Sequence, residues 1–401
     1  MEGFQLYLSY WPPIVGTLVF LLLGLWFWLM SSRAAEASPR QLSWVKHYRE
    51  GGFPLRAEAI PAPKFSIPGA AAVFFGAALF ALLYQCNAGW SLARSWTLFL
   101  HSRYAIMRIL TAALGATAVW LLVRTLFDSR LTGAMAAVMF LTAPRTDYEH
   151  NCLLAMSLLF LLWYLRCEKT GFAAELLYLA GALCYSLTLA LWPGLIWIAP
   201  FVIALHWYKL RWYLRNNRLR FGRAMLYGAA ALVFWALFIV IAALMRRFLH
   251  SGFLLRELTG LLTPTRIRWA CSELAAAIPD DILKAPRPSL LLNPIMNAPI
   301  LCFGFWGLIR CLSQLRKRGS VRAFAILLVA LVFGLTWLLT GYHVLVLPLL
   351  LGAAWLIRDA VTGRKIAEAV CFCMLAVLFH LFMAVGSWWL PMTTELRLRM
   401  L

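Results

Sequence analysis

Acidic residues are scarce in this sequence. Its 401 residues hold 16 Asp and Glu against 37 Lys and Arg, a formal net charge of +21. In a soluble protein that excess points to nucleic acid. Here the basic residues cluster between apolar runs, which points to membrane topology and anionic lipid headgroups, and no nucleic-acid partner is expected. Paired cysteines are missing too. The nine stand at 86, 152, 167, 184, 271, 302, 311, 371 and 373. Only Cys371 and Cys373 fall close together, with no other ligand nearby, which excludes a zinc motif and a disulfide framework. The basic start and small-residue cleavage site of a signal peptide are absent, so the apolar run from Pro12 to Met30 is expected to be retained. There is no internal repeat, no low-complexity tract, and no polar stretch long enough for a separate globular domain.

Long apolar runs are what the chain has instead. Apolar residues make up 63% of it and its mean hydropathy is +0.78, beyond the roughly half-apolar composition of soluble domains. Unbroken runs rather than alternation indicate helices rather than a barrel. The sequence therefore predicts an all-α, polytopic integral membrane protein with about twelve transmembrane helices. They fall near 12–31, 67–86, 105–123, 130–144, 151–165, 172–190, 193–208, 224–245, 295–312, 323–340, 344–357 and 367–388. Several, such as 130–144 and 344–357, are short for a crossing of roughly 20 residues.

Composition divides the chain into four parts. Residues 1–66 form an extra first helix and a cytoplasmic linker, 67–245 a transmembrane core, 246–294 a basic outer segment, and 295–401 the C-terminal helices. Interfacial helices are expected in the outer loops, within 87–102, over Phe248 to Leu262 and over Trp269 to Ile278. With the amino terminus outside, the inner loops carry 24 of the 37 basic residues, the sense of the positive-inside rule. This places a multi-pass protein in a bacterial cytoplasmic (inner) membrane.

One polar patch breaks the apolar run, TAPRTDYEHN from Thr142 to Asn151, and this topology puts it on the outer face. Asp147 and Glu149 are two residues apart, so on an extended loop they point the same way and share a proton or a divalent cation, Mg or Mn. The alternative is that they cap the helix beginning near Asn151 and pair with Arg145. His150 is either a proton relay beside them or a headgroup contact. Tyr342 and His343, in TGYHV, face the same side and are candidates to line the same cavity.

The stretch 103–171 adds a resemblance. Arg108 opens the helix MRILTAALG, a short inner turn LFDSRLTG follows, and the next helix ends at Pro144 before the polar outer patch. The segment Leu179 to Trp207 looks like the succeeding helix pair. This order resembles membrane glycosyltransferases of the GT-C fold, which include the protein mannosyltransferases, the aminoarabinose transferase and the oligosaccharyltransferase catalytic subunit. The resemblance covers roughly 67–245 and implies an inverting transfer of sugar from a polyprenyl-phosphate-linked donor. Under it, Asp147 with Glu149 matches the second acidic position of the family, as general base or metal ligand. The first is unmatched, because the loop 87–104 holds no Asp or Glu.

An arginine inside a span seeks a carboxylate or a phosphate. Arg108 and Arg103 therefore either hold the carrier's phosphate or lock helices through Asp147 or Glu149. Arg246, Arg247 and Arg256 make the outer segment positive enough to attract a polyanionic lipid carrier. Three functions follow: a polyprenyl-phosphate-dependent glycosyltransferase, a non-catalytic subunit that keeps this helix arrangement beside other membrane proteins, or a lipid or solute transporter.

Overall fold

The computed structural model describes residues 15–26, 28–29, 67–87, 103–143, 148–167, 171–251, 263–284, 297–318, 320–340, 343–363 and 365–389. Its helices run in the order α1 (Val15–Trp26), α2 (Ile67–Asn87), α3 (Arg103–Phe127), α4 (Arg130–Thr142), α5 (Tyr148–Arg166) and α6 (Phe172–Leu191). A 3-10 turn (Pro193–Ile198) leads to α7 (Ala199–Arg215), α8 (Phe221–Ser251), α9 (Pro264–Lys284), α10 (Ala298–Arg318) and α11 (Val321–Thr340). A second 3-10 turn (His343–Leu345) precedes α12 (Val346–Thr362) and α13 (Ile366–Trp389).

The protein is a helical membrane protein. Among the described residues six segments are long and apolar enough to cross a bilayer: Ile109–Phe127, Phe172–Leu191, Pro193–Arg215, Phe221–Arg247, Ala298–Arg316 and Val321–Thr340. Each supplies the roughly 20 residues a hydrocarbon core demands. The other expected spans coincide with α1, α2, α4, α5, α12 and α13, of which α4 has 13 residues and α12 has 17. The expected interfacial helices at 87–102 and Phe248 to Leu262 lie almost wholly outside the described residues. The short helix expected over Trp269 to Ile278 is the longer α9, which packs on α8 through Ala243, Ala270 and Leu274.

Helix α3 is the axis of the core. Its small residues Ala112, Ala113 and Ala116 are fully buried, and Gly115 lets Phe140 of α4 and Cys152 of α5 close on it. The turn from α3 to α4 is tight. Asp128 takes a left-handed φ of 54°, tolerated by an Asp, and Ser129 then caps α4 by accepting from the Thr132 N–H at 3.2 Å. The apolar sides of α8 and α11 stay open, with Leu232, Val233 and Leu338 at 66%, 68% and 64% exposure, as lipid-facing helices should.

The N-terminal helix α1 docks on the C-terminal helices. Cys302 of α10 contacts the Thr17 carbonyl at 3.4 Å, and Trp306 donates to the Leu21 carbonyl at 3.1 Å. Both pairs are 285 residues apart, so α1 and α10 run parallel in register. Phe20 packs edge-on against Phe372 and Phe379 of α13.

The turns read as inner loops share one end of the molecule. Trp163 of α5 donates to Thr125 of α3 at 3.3 Å, Tyr213 of α7 to the Cys167 carbonyl at 3.0 Å, and Phe127 packs against Trp355 of α12. This basic end lies opposite α9, which sits against the far end of α8 where Arg247 covers the Trp269 ring.

Candidate functional site

Helix α4 delivers the first two patch residues, Thr142 and Ala143, into the core, both nearly fully buried. Residues 144–147, with Arg145 and Asp147, lie outside the described residues. Helix α5 begins at Tyr148, so Glu149 and His150 are in its first turn, although their side chains lie outside the described residues. Asn151 is therefore the fourth helical residue and fully buried, not the N-cap that the sequence suggested. The extended-loop argument that aligned Asp147 with Glu149 does not carry over, because Glu149 is helical and follows a 3.6-residue period.

A residue the sequence reading passed over sits beside the patch. His380 of α13 is 0% exposed, and its Nδ1 is 3.2 Å from Thr142 Oγ1. Helix α13 reaches this place by running parallel to α4, since Cys373 also contacts the Met135 carbonyl and both pairs are 238 residues apart. The seven-residue steps 135 to 142 and 373 to 380 keep one stripe in contact, the period of parallel helix packing. The Thr142 hydroxyl donates to the Val138 carbonyl at 3.0 Å, so its oxygen is left to accept from His380 Nδ1–H. In the tautomer that matches this arrangement, Nε2 carries the lone pair. Nε2 is buried and, among the described residues, has no hydrogen-bond partner. In sequence this histidine stands alone in an apolar run with no motif, and only the 238-residue register brings it to the patch.

The other site candidates are spread over the fold. Arg103 and Arg108 occupy the first two turns of α3, with side chains outside the described residues. Arg246 donates to the Ala190 carbonyl at 3.3 Å at the end of α6, and Arg247 lies 3.5 Å above the Trp269 ring. Arg256 and Tyr342 lie outside the described residues, and His343 opens a 3-10 turn with its side chain undescribed. Among the described residues no group of three His, Cys, Asp or Glu is placed to hold a metal. Thr142 and His380 offer one hydroxyl and one imidazole, a poor fit to the oxygen-rich shell that Mg favours; the side chains of Asp147 and Glu149, the expected ligands, lie outside the described residues.

Two further polar clusters occupy the basic end. In the first, Tyr164 O–H meets His206 Nδ1 at 2.8 Å, Glu175 lies 3.8 Å from the same nitrogen, and Tyr178 stacks on the imidazole at 4.1 Å. Trp235 donates to Tyr178 Oη at 2.9 Å. Lys209 donates to the Tyr164 carbonyl and sits 3.8 Å over that residue's ring. Lys209 is completely buried, a correction to its reading as an inner-loop charge. In the second cluster, Asp359 receives Arg310 and Arg358, each at 3.4 Å. These polar groups tie α5 to α6 and α7, and α10 to α12.

With this geometry in view, the chain is similar in structure to an oligosaccharyltransferase of Archaeoglobus fulgidus, crystallised in complex with Zn and sulfate. The identity is 16%, the TM-score is 0.37, and the match covers 92% of this chain and 52% of that one. The chain thus spans about half the length of the protein it matches. No protein-family profile matches the sequence, and no curated protein matches it.

Proposed function

We propose that the protein is a membrane glycosyltransferase of the GT-C kind, with about twelve crossings of a bacterial cytoplasmic membrane. It moves a sugar from a polyprenyl-phosphate-linked donor to an acceptor hydroxyl at the outer end of α4. The observation that carries this reading is the buried His380 imidazole against Thr142, the first residue of the acidic patch. A buried imidazole hydrogen-bonded to the residue that opens the acidic patch is an arrangement suited to proton transfer.

In the proposed reaction Asp147 or Glu149 takes the acceptor's proton, and the freed oxygen attacks the anomeric carbon. The bond from that carbon to the phosphate oxygen breaks, and the polyprenyl phosphate departs with the electron pair. Arg103, Arg108, Arg246, Arg247 and Arg256 are the residues proposed to stabilise its charge. His380 Nε2 positions the carboxylates or receives their proton.

The test is glycan transfer by the purified protein with a polyprenyl-phosphate-linked sugar. Asp147→Asn with Glu149→Gln is expected to lower the rate by at least about a hundredfold, the scale of a lost general base. His380→Gln should lower it while unfolding stays near wild type. Unchanged transfer by the double variant would sink the assignment. The absence of any acid in 87–104 favours a second reading, a non-catalytic subunit, which predicts purification only as part of an assembly.

A further inference from the structure

Helices α1, α10 and α13 leave between them an open groove of about 260 Å³, lined by Leu23, Trp26, Phe303, Phe372 and Leu375 together with Glu368. Its floor is the stacked pair Phe303 and Phe372, and its walls are almost wholly apolar. Glu368 stands in the first turn of α13. Its Oε1 is 3.4 Å from Lys365 Nζ. Its Oε2 is shielded and, among the described residues, has no hydrogen-bond partner. Trp26, on the α1 side, is half exposed, as befits an aromatic ring at the level of lipid headgroups.

An apolar slot thus ends at a cation and an anion one helical turn apart. A carboxylate oxygen withdrawn from water without a donor is costly, and the donor that suits it is a charged N–H. We propose that this groove binds a zwitterionic phospholipid with a primary amine, of the ethanolamine type. One acyl chain lies along Phe303, Phe372 and Leu375. The headgroup ammonium donates to Glu368 Oε2, and the phosphate meets Lys365 Nζ. A choline headgroup fills the same space but has no N–H to give. A glycerol headgroup carries net negative charge to a carboxylate with no ammonium to offset it. The proposal is independent of the glycosyltransferase reading, since the groove is built from α1, α10 and α13 without any patch residue.

Native mass spectrometry of the full-length protein, in detergent micelles doped with equal dioleoyl-phosphatidylethanolamine, -choline and -glycerol, tests it. The wild type is expected to retain the ethanolamine lipid in preference to the other two. Glu368→Gln should reduce that preference by about tenfold, the scale of one charge-assisted hydrogen bond, and leave the unfolding temperature near wild type. Leu375→Trp, which fills the slot from its lipid-facing side, should displace the bound lipid whatever its headgroup. Equal retention of ethanolamine and choline lipids by the wild type overturns the proposal. So does a preference that survives Glu368→Gln, a preference for the glycerol lipid, or a wild type that retains no lipid.

Discussion

Asp359 shows how tightly charge is placed in this bundle. It is 3% exposed and holds two arginines from α10 and α12. Removing one partner of a buried ion pair strands the other in a poor solvent, at a cost of about 3–5 kcal/mol. Asp359→Ala is therefore expected to lose about that much stability, read as a lower denaturation midpoint in detergent. Replacing Asp359 by Leu together with Arg310 by Met should recover much of the loss, because a well-packed apolar pair is often neutral. The sequence placed these arginines at helix ends but could not show which of them turn inward. Lys209 and Arg215 look alike in a run of six basic residues from Lys209 to Arg223; one is fully buried and the other exposed. Burial depends on the neighbouring helices, and that information is long-range. His380 escaped notice for the same reason, whereas Asp147 and Glu149 were visible because charge stands out against an apolar run.

At the scale of the helix, apolar runs were a sound guide to where helices lie and a poor one to where they stop. Helix α8 has 31 residues, well past the expected 224–245, because Arg246 and Arg247 find partners in Ala190 and Trp269 and the helix continues beyond its apolar stretch. Helix α5 starts at Tyr148, three residues before Asn151, so the polar residue taken for its cap lies inside the helix. The α10–α12 crossing was also unreadable in sequence. Gly304 and Gly307 face Leu349 and Gly352 so closely that a methyl group at Gly307 would overlap the Gly352 carbonyl. Small residues let membrane helices approach backbone to backbone. Gly307→Ala should therefore cost about 1–3 kcal/mol as overpacking. Gly334 of α11 has open space around it, so Gly334→Ala is expected to be neutral or to stabilise by up to about 1 kcal/mol. Thermal unfolding of the two variants side by side gives the comparison.

Seen as a whole, the molecule has two unlike ends. Turns rich in arginine gather at one, and α9 lies across the other. In a background without native cysteines, single cysteines at Asp128 and Asn217 are expected to react with an impermeant maleimide from the same side of the membrane. A cysteine at Ser272, exposed on α9, should react only from the opposite side. If Asn217 and Ser272 labelled together, the arrangement of α8 across the bilayer would be wrong. If Asp128 and Asn217 proved to face the outside, the charge rule applied to the loops would have failed.

The register between α1 and α10 bears on how the protein is made. Thr17 and Leu21 meet partners 285 residues further along. At roughly 5–20 residues per second, synthesis leaves the first helix in the bilayer for about 15–60 s before its seat exists. Through that interval Gly16 and Gly24 face lipid rather than Phe379 and Trp306. Assembly at this corner is thus a closing step, and a chain that ends before α13 leaves its own first helix without half of its binding site.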